Sequence, residues 1–212
     1  MKNNYSGKFI TLEGIEGVGK TSNLAYIREL LQRSGSKCIE TREPGGTPLG
    51  ESLRGILLEH KHDGMSSDTE LLLMFAARAE HITRVIMPAL SAGKYVLCDR
   101  FTEATYAYQG GGRGINESRI GELENWVQGE LRPDLTIVLD APVHVGRARA
   151  GRRSEPDRIE KEHDDFFSRV RDSYLRLAEH YPQRIAVVDA NMALDDVQNQ
   201  IKRVLHEYHI VS

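Results

Sequence analysis

Eight consecutive residues, Gly14-Ile15-Glu16-Gly17-Val18-Gly19-Lys20-Thr21, have the spacing G-x-x-x-x-G-K-[ST]. Backbone N–H groups of a Gly-rich turn converge on phosphate oxygens only where no Cβ intervenes, and the N-terminus of a following helix adds the positive end of its dipole. In that setting Lys20 reaches the β- and γ-phosphates of a nucleoside triphosphate. The Thr21 hydroxyl is a ligand for Mg²⁺, a hard cation that prefers oxygen. A turn that merely caps a helix, with Lys20 solvated, explains neither the spacing nor the Lys-Thr pair. The cradle alone leaves open a switch, a motor or a kinase. No Asp is followed by Gly at the third place and no Asn or Thr by Lys, so the γ-phosphate sensor and guanine reader of a GTPase switch are missing. Motors and transporter ATPases need larger chains or partner domains, which favours a small transferase.

The elements that must position this cradle follow from hydrophobic periodicity. Short runs rich in β-branched residues alternate with longer stretches of helical period, the pattern of βαβ units and a parallel sheet. Strands are expected at Phe9–Glu13, Lys37–Thr41, Tyr95–Asp99, Leu135–Asp140 and Ile185–Asp189, three of them ending in Asp. Helices are expected at about Thr21–Ser34, Thr69–Ser91, Asn116–Gln128, Glu160–Glu179 and Ala193–His209. In the last, Leu194, Val197, Ile201, Val204, Leu205 and Tyr208 share a face that should pack on the sheet. Two Gly-rich loops, Glu43–Gly50 and Gln109–Gly114, and an Arg-rich stretch, Arg147–Arg158, break the regularity at strand ends, where sites are built. The expectation is one α/β domain over residues 1–212, a three-layer fold with a five-stranded parallel sheet between helices.

Composition narrows the function classes. With 28 Lys plus Arg against 31 Asp plus Glu, the net charge of −3 lacks the positive field of a nucleic-acid-binding protein. No apolar run approaches a membrane span and the N-terminus has no signal-peptide centre, so a cytoplasmic protein is expected. Cys38 and Cys98, one in each of two strands, read as small buried apolar residues in a reducing compartment. The eight His show no metal-ligand pairing, His60 and His62 read as surface-loop residues, and Trp126 reads as core or dimer interface.

Beyond the cradle, Thr41-Arg42-Glu43-Pro44-Gly45-Gly46-Thr47, the pair Asp99-Arg100, Tyr106-Ala107-Tyr108-Gln109-Gly110-Gly111-Gly112-Arg113-Gly114 and Arg132-Pro133-Asp134-Leu135-Thr136 together resemble bacterial thymidylate kinase. The resemblance runs in unbroken order from about Phe9 to the C-terminus. It implies the P-loop NTPase fold and an ATP:dTMP phosphotransferase with Mg²⁺, usually a homodimer.

A phosphate monoester with a second pKa of about 6 is mostly dianionic at neutral pH, so its attack needs no general base. The protein must instead bring two polyanions into line, for which Arg forks and Mg²⁺ are suited. Arg100 either clamps the acceptor phosphate, as the resemblance implies, or pairs with a neighbouring carboxylate. Asp99 either holds Mg²⁺ through water or caps the following helix. For Arg54 the resemblance implies the dTMP phosphate; the residues alone favour a solvated helix face. Glu43 orders its loop, meets the Mg²⁺ water shell or caps a turn. Glu16, a carboxylate facing triphosphate, is implied to accept from the 3′-hydroxyl of dTMP; otherwise it turns to water.

The resemblance further implies that Arg78 donates to thymine O4, that Thr105 and Gln109 lie near the base's polar edge, and that Tyr108 excludes a 2′-hydroxyl by bulk. The family's stacking ring often lies four residues before this Arg, where Met74 stands; Phe75, three before, takes the role with a shifted helix or stacking is weaker. Phe75 alone reads equally as helix core; for Arg78 a buried ion pair is the lesser alternative. The stretch 147–158 resembles a lid that closes over ATP, with Arg149 and Arg153 the first choices to meet the transferred phosphoryl. Arg152 substitutes for an Arg the family often has where Gly151 stands. Arg113 and Arg158 are expected to be structural ion-pair partners.

Overall fold

The computed structural model describes residues 5–151 and 157–211. Five parallel strands, β1 (Phe9–Glu13), β2 (Cys38–Arg42), β3 (Tyr95–Asp99), β4 (Leu135–Asp140) and β5 (Ile185–Asp189), lie in the order β2-β3-β1-β4-β5. Every residue of β1 is buried, as a central strand covered on both faces requires. Its side chains Ile10 and Leu12 pack with Ile137 and Leu139 of β4 in the main core, while Phe9 joins Val96 and Phe101 on a second one. The chain leaves β1 toward β2 and leaves β4 toward β5, so the strand order reverses beside β1 and the cradle sits at the switch point. Register supports this geometry: Leu12 pairs with Asp99 and Glu13 with Val138, so the cradle, Asp99 and the end of β4 emerge at one edge.

The helices in chain order are α1 (Lys20–Arg33), α2 (Pro48–Leu58), α3 (Ser67–His81), α4 (Met87–Ser91), α5 (Thr102–Thr105), α6 (Glu117–Gln128), α7 (Val143–Ala150), α8 (Asp164–His180) and α9 (Leu194–Glu207). Four strands follow the sequence expectation residue for residue and β2 is displaced by one. On α9, Val197, Ile201 and Leu205 are buried as expected, whereas Leu194 at the first turn is exposed. The long helix expected to Ser91 is two helices joined by a π turn over Ile82–Ile86. Pro88 has no N–H to give the carbonyl four residues back and its ring crowds it, so the ladder widens there.

Three differences concern the presumed loops. Helix α2 begins inside the first of them, where Thr47 accepts from the Gly50 N–H at 2.9 Å and Pro48 opens the first turn. The second is helical: α5 continues as a π turn over Tyr106–Gly112. Its glycines serve packing, because a Cβ on Gly112 would lie 2.4 Å from the Phe166 ring and one on Gly111 2.8 Å from the Arg169 carbonyl of α8. The third begins inside α7, whereas Arg152 and Arg153 lie outside the described residues. Cys98 is buried as expected but Cys38 is only half-buried. Trp126 is 83% exposed and is not core. His60 and His62 fall in a short 3₁₀ turn.

Candidate active site

The cradle turns on three glycines with positive φ: Gly14 at 132°, Gly17 at 74° and Gly19 at 95°. Gly17 also meets α7 at closest range, since a Cβ there would lie 1.9 Å from the Gly146 carbonyl. Lys20 Nζ donates to the carbonyls of Gly14 and Ile15 at 3.1 and 3.0 Å, which folds the lysine back over the turn. Burial and the Arg100 charge lower its pKa to about 8, against the pull of Asp99, Glu16 and Glu13. A buried lysine so disfavoured as a cation is stabilised by any polyanion the cradle admits.

Arg100 follows β3 with φ at 68°, a left-handed backbone unusual outside glycine. Its Nη2 donates to Glu16 Oε1 at 2.7 Å and to the Gly14 carbonyl at 3.1 Å, with the Tyr108 hydroxyl 2.8 Å away. Tyr108 O–H in turn donates to Glu16 at 2.8 Å, and the Arg100 guanidinium stacks 5.0 Å from the Tyr108 ring centre. The Arg100 Nε is buried without a partner among the described residues.

A second arginine is built differently. Arg78, on α3, is buried between the rings of Phe75 and Phe101, 4.8 and 5.1 Å from their centres. Its Nε donates to Glu43 Oε2 at 2.7 Å and its Nη2 to the Phe101 carbonyl and Thr105 Oγ1 at 3.1 and 3.0 Å. Nη1 has no partner among the described residues. Glu43 is held from the far side by His81 Nδ1 at 2.9 Å, and Thr41 Oγ1 lies 2.6 Å from His81 Nε2. His81 drew no notice in the sequence; its position three residues after Arg78 on a helix was the available signal.

Lys20, Arg100, Tyr108, Arg78, Glu43 and Thr105 among them line one cavity of about 220 Å³. Lys20, Glu16 and Arg100 stand at its cradle end; Arg78, Thr105, Tyr108 and Gln109 form its inner wall; Glu43, Pro44 and Arg54 form a side. Arg54 Nη1 donates to the Pro44 carbonyl at 3.0 Å, and burial followed by the Arg42 charge lowers its pKa against the pull of Glu51 and Asp157. Two expected residues are not in this wall. Phe75 is 2% exposed, packed with Leu71, Ile115 and Ile120 beneath Arg78, and Met74 faces the cavity instead. Helical phase decides this: α3 keeps its regular turn, so the residue four before Arg78 shares the cavity side. Arg149 is on α7 with Nη1 bonded to the Ala190 carbonyl at 3.0 Å, away from the cavity. Arg153 lies outside the described residues. Asp157 and Glu160, neither expected as a site residue, line the cavity too. Arg113 and Arg158 are ion-pair partners of Glu70, as expected.

Metal fit rests on Asp99. Its Oδ1 is buried with no hydrogen-bond partner among the described residues, at the end of β3 beside the cradle. Thr21 presents a hydroxyl on the first turn of α1. A lone carboxylate and a hydroxyl beside a phosphate site suit Mg²⁺, which keeps several waters and takes its other ligands from phosphate.

The thymidylate kinase family model matches residues 12–201. The chain belongs to the thymidylate kinase family. The thymidylate kinase of Nitrosospira multiformis is 53% identical over 197 residues, covering 93% of this chain and 96% of that protein. The thymidylate kinase of Pseudomonas putida strain F1 is 56% identical over 200 residues, 94% of this chain and 95% of that protein. The crystal structure of thymidylate kinase from Ehrlichia chaffeensis has a TM-score of 0.78 at 34% identity, covering 94% of this chain and 98% of that one. The five-stranded sheet between helices is therefore the P-loop NTPase fold, in its thymidylate kinase form, and the chain is a nucleoside monophosphate kinase.

Proposed function

We infer that the chain transfers the γ-phosphoryl of ATP to dTMP, giving dTDP and ADP, and that the cavity between Lys20 and Arg78 receives the acceptor. The observation that carries this reading is the joining of a phosphate cradle to a base-sized pocket ending in a buried donor, Arg78 Nη1. That N–H is costly to leave unpaired and suits a carbonyl such as thymine O4. Met74 and Pro44 supply apolar area for the ring.

At the other end, Arg54 and Arg100 supply the charge that a phosphate dianion requires. Arg100 Nε and the Arg54 guanidinium, whose charge burial disfavours, are the donors available to it. Glu16 is tolerable beside triphosphate because Arg100 pairs with it, and its carboxylate and the Tyr108 ring bound the space for the sugar. The Tyr108 ring there leaves little room for a 2′-hydroxyl. Glu43 holds Arg78 through a buried ion pair rather than touching substrate.

Catalysis is positioning and charge neutralisation without a general base. Thr21 and Asp99 would hold Mg²⁺, which supplies charge neutralisation on the β- and γ-phosphates when bound. Lys20 leaves its carbonyl partners to meet the same oxygens. Arg149, which donates to the Ala190 carbonyl at 3.0 Å, and Arg153, which lies outside the described residues, are the two arginines that the family resemblance offers to the transferred group. The working unit is a homodimer: Trp126 on α6 and Leu72 on α3, two helices that pack together, are 83% and 57% exposed. ADP release measured with dTMP, dUMP, dCMP and dGMP tests the reading. dTMP is the best acceptor, and a better one among the others overturns the assignment.

A further inference from the structure

Glu70, on α3, is 1% exposed, and its carboxylate joins three parts of the fold. Oε1 accepts from Gln109 Nε2 at 2.9 Å and Arg113 Nε at 3.3 Å; Oε2 accepts from Arg158 Nη2 at 2.6 Å and Arg113 Nη2 at 3.3 Å. Burial works against its charge, but the Gln109 bond, the Arg113 charge and the Arg158 bond outweigh it and hold the carboxyl below its usual range.

An ionised carboxylate only accepts hydrogen bonds, so it decides which end of a neighbouring amide turns toward it. Gln109 must present Nε2 to Glu70, and its carbonyl Oε1 is the end left for the cavity that Gln109 lines. A carbonyl at that wall attracts a ring N–H and repels a bare ring nitrogen. Thymine and uracil carry hydrogen on N3; cytosine carries a lone pair there.

We propose that Glu70 is a positioning residue for base selection: by orienting the Gln109 amide it sets an acceptor in the cavity wall that favours pyrimidines with a ring N–H over cytosine. This rests on the reading of the cavity as the site of a pyrimidine nucleotide. The same carboxylate also steadies the facing wall. Arg158, tied to Glu70, donates Nε to the Leu57 carbonyl at 2.8 Å, and its chain neighbours Asp157 and Ile159 line the cavity. One buried charge thus places two walls.

The test is kcat/KM for dTMP and dCMP in the unaltered protein, Glu70→Gln, Gln109→Ala and the double variant, with thermal melting alongside. The dTMP:dCMP ratio falls about tenfold in Glu70→Gln, the size of one well-placed hydrogen bond. Loss of folded protein lowers both rates equally and leaves that ratio alone. In the Gln109→Ala background the Glu70 substitution no longer changes it. An unaltered ratio in Glu70→Gln, or an equal fall with and without Gln109, overturns the proposal. Where Glu70→Gln does not fold, Glu70→Asp takes its place: it keeps a negative charge near both arginines, draws the carboxylate back by one methylene so that its hold on the Gln109 amide loosens, and lowers the same ratio. An unaltered protein that takes dCMP as readily as dTMP overturns the reading of the cavity, and this proposal with it.

Discussion

Lys20 shows how one side chain can be held in readiness. Its ammonium is buried, sits in the field of Arg100, and is held by two backbone carbonyls instead of phosphates, so its pKa lies near 8 rather than 10.5. A triphosphate in the cradle raises that pKa again, because the charged form gains an opposite charge at short range. ATP binding at a pH near 8 therefore takes up a fraction of a proton. Calorimetry in two buffers of different ionisation enthalpy measures it, and identical apparent enthalpies would show that Lys20 does not titrate. Lys20→Met removes the uptake and lowers kcat by about 10²–10³-fold, as loss of one charge-stabilising group at the reacting centre does. At this scale much was legible: the cradle spacing names Lys20 and Thr21 outright. For Phe75, whose two readings the sequence leaves open, one step of helical phase decides for the core over the cavity.

Helix α7 was invisible in the periodicity, yet it supports the cradle. It is short, and of its residues only Gly146 is buried, so it carries no apolar stripe to recognise. Gly146 is where the helix passes under the turn: a Cβ there would lie 2.6 Å from the Glu16 carbonyl, and the reciprocal Gly17 approach is closer still. Gly146→Ala must therefore displace the turn from the helix, at about 1–3 kcal/mol by analogy with overpacked cores. The expected outcome is a lower melting temperature together with a KM for ATP raised more than that for dTMP, whose sugar space Glu16 also bounds. Equal changes in both KM values would count against a local effect on the cradle. The π turn after α5 follows the same logic, since its glycines read as a loop until α8 lies on them.

For the molecule as a whole, buried charge at the sheet edge sets the pH dependence of stability. Glu13 ends β1, accepts from Phe101 N–H and Tyr174 O–H at 2.7 Å each, and has its pKa raised from 4.5 to about 8 by burial and then by Glu103. Below 4.5 the folded and unfolded chains both hold this proton; between 4.5 and about 8 only the folded one does. The folded state binds more protons across that window, so the Glu13 contribution is complete below it and is lost as pH rises through it. Glu13→Gln flattens the decline of Tm over that range, and parallel Tm curves for the two proteins would refute the account. The exposed Trp126 belongs to the same scale. Trp126→Ser shifts sedimentation toward the monomer at micromolar concentration if the proposed dimer forms through this face, and an unchanged coefficient counts against that proposal.

Strand identity, the parallel sheet and the phosphate cradle were determined by the sequence alone, because each rests on local rules: buried β-branched runs, helical period, and glycines where N–H groups must converge. The neighbours of each charge were decided only by the tertiary structure. Glu43, the α3 pair Arg78 and His81, and Thr105 come from three segments far apart in the chain and meet where the end of β2, α3 and α5 come together; Glu70, Gln109 and Arg158 meet for the same reason. A buried ion pair depends on distances of a few ångströms between segments many residues apart, and no spacing along one strand or helix encodes them.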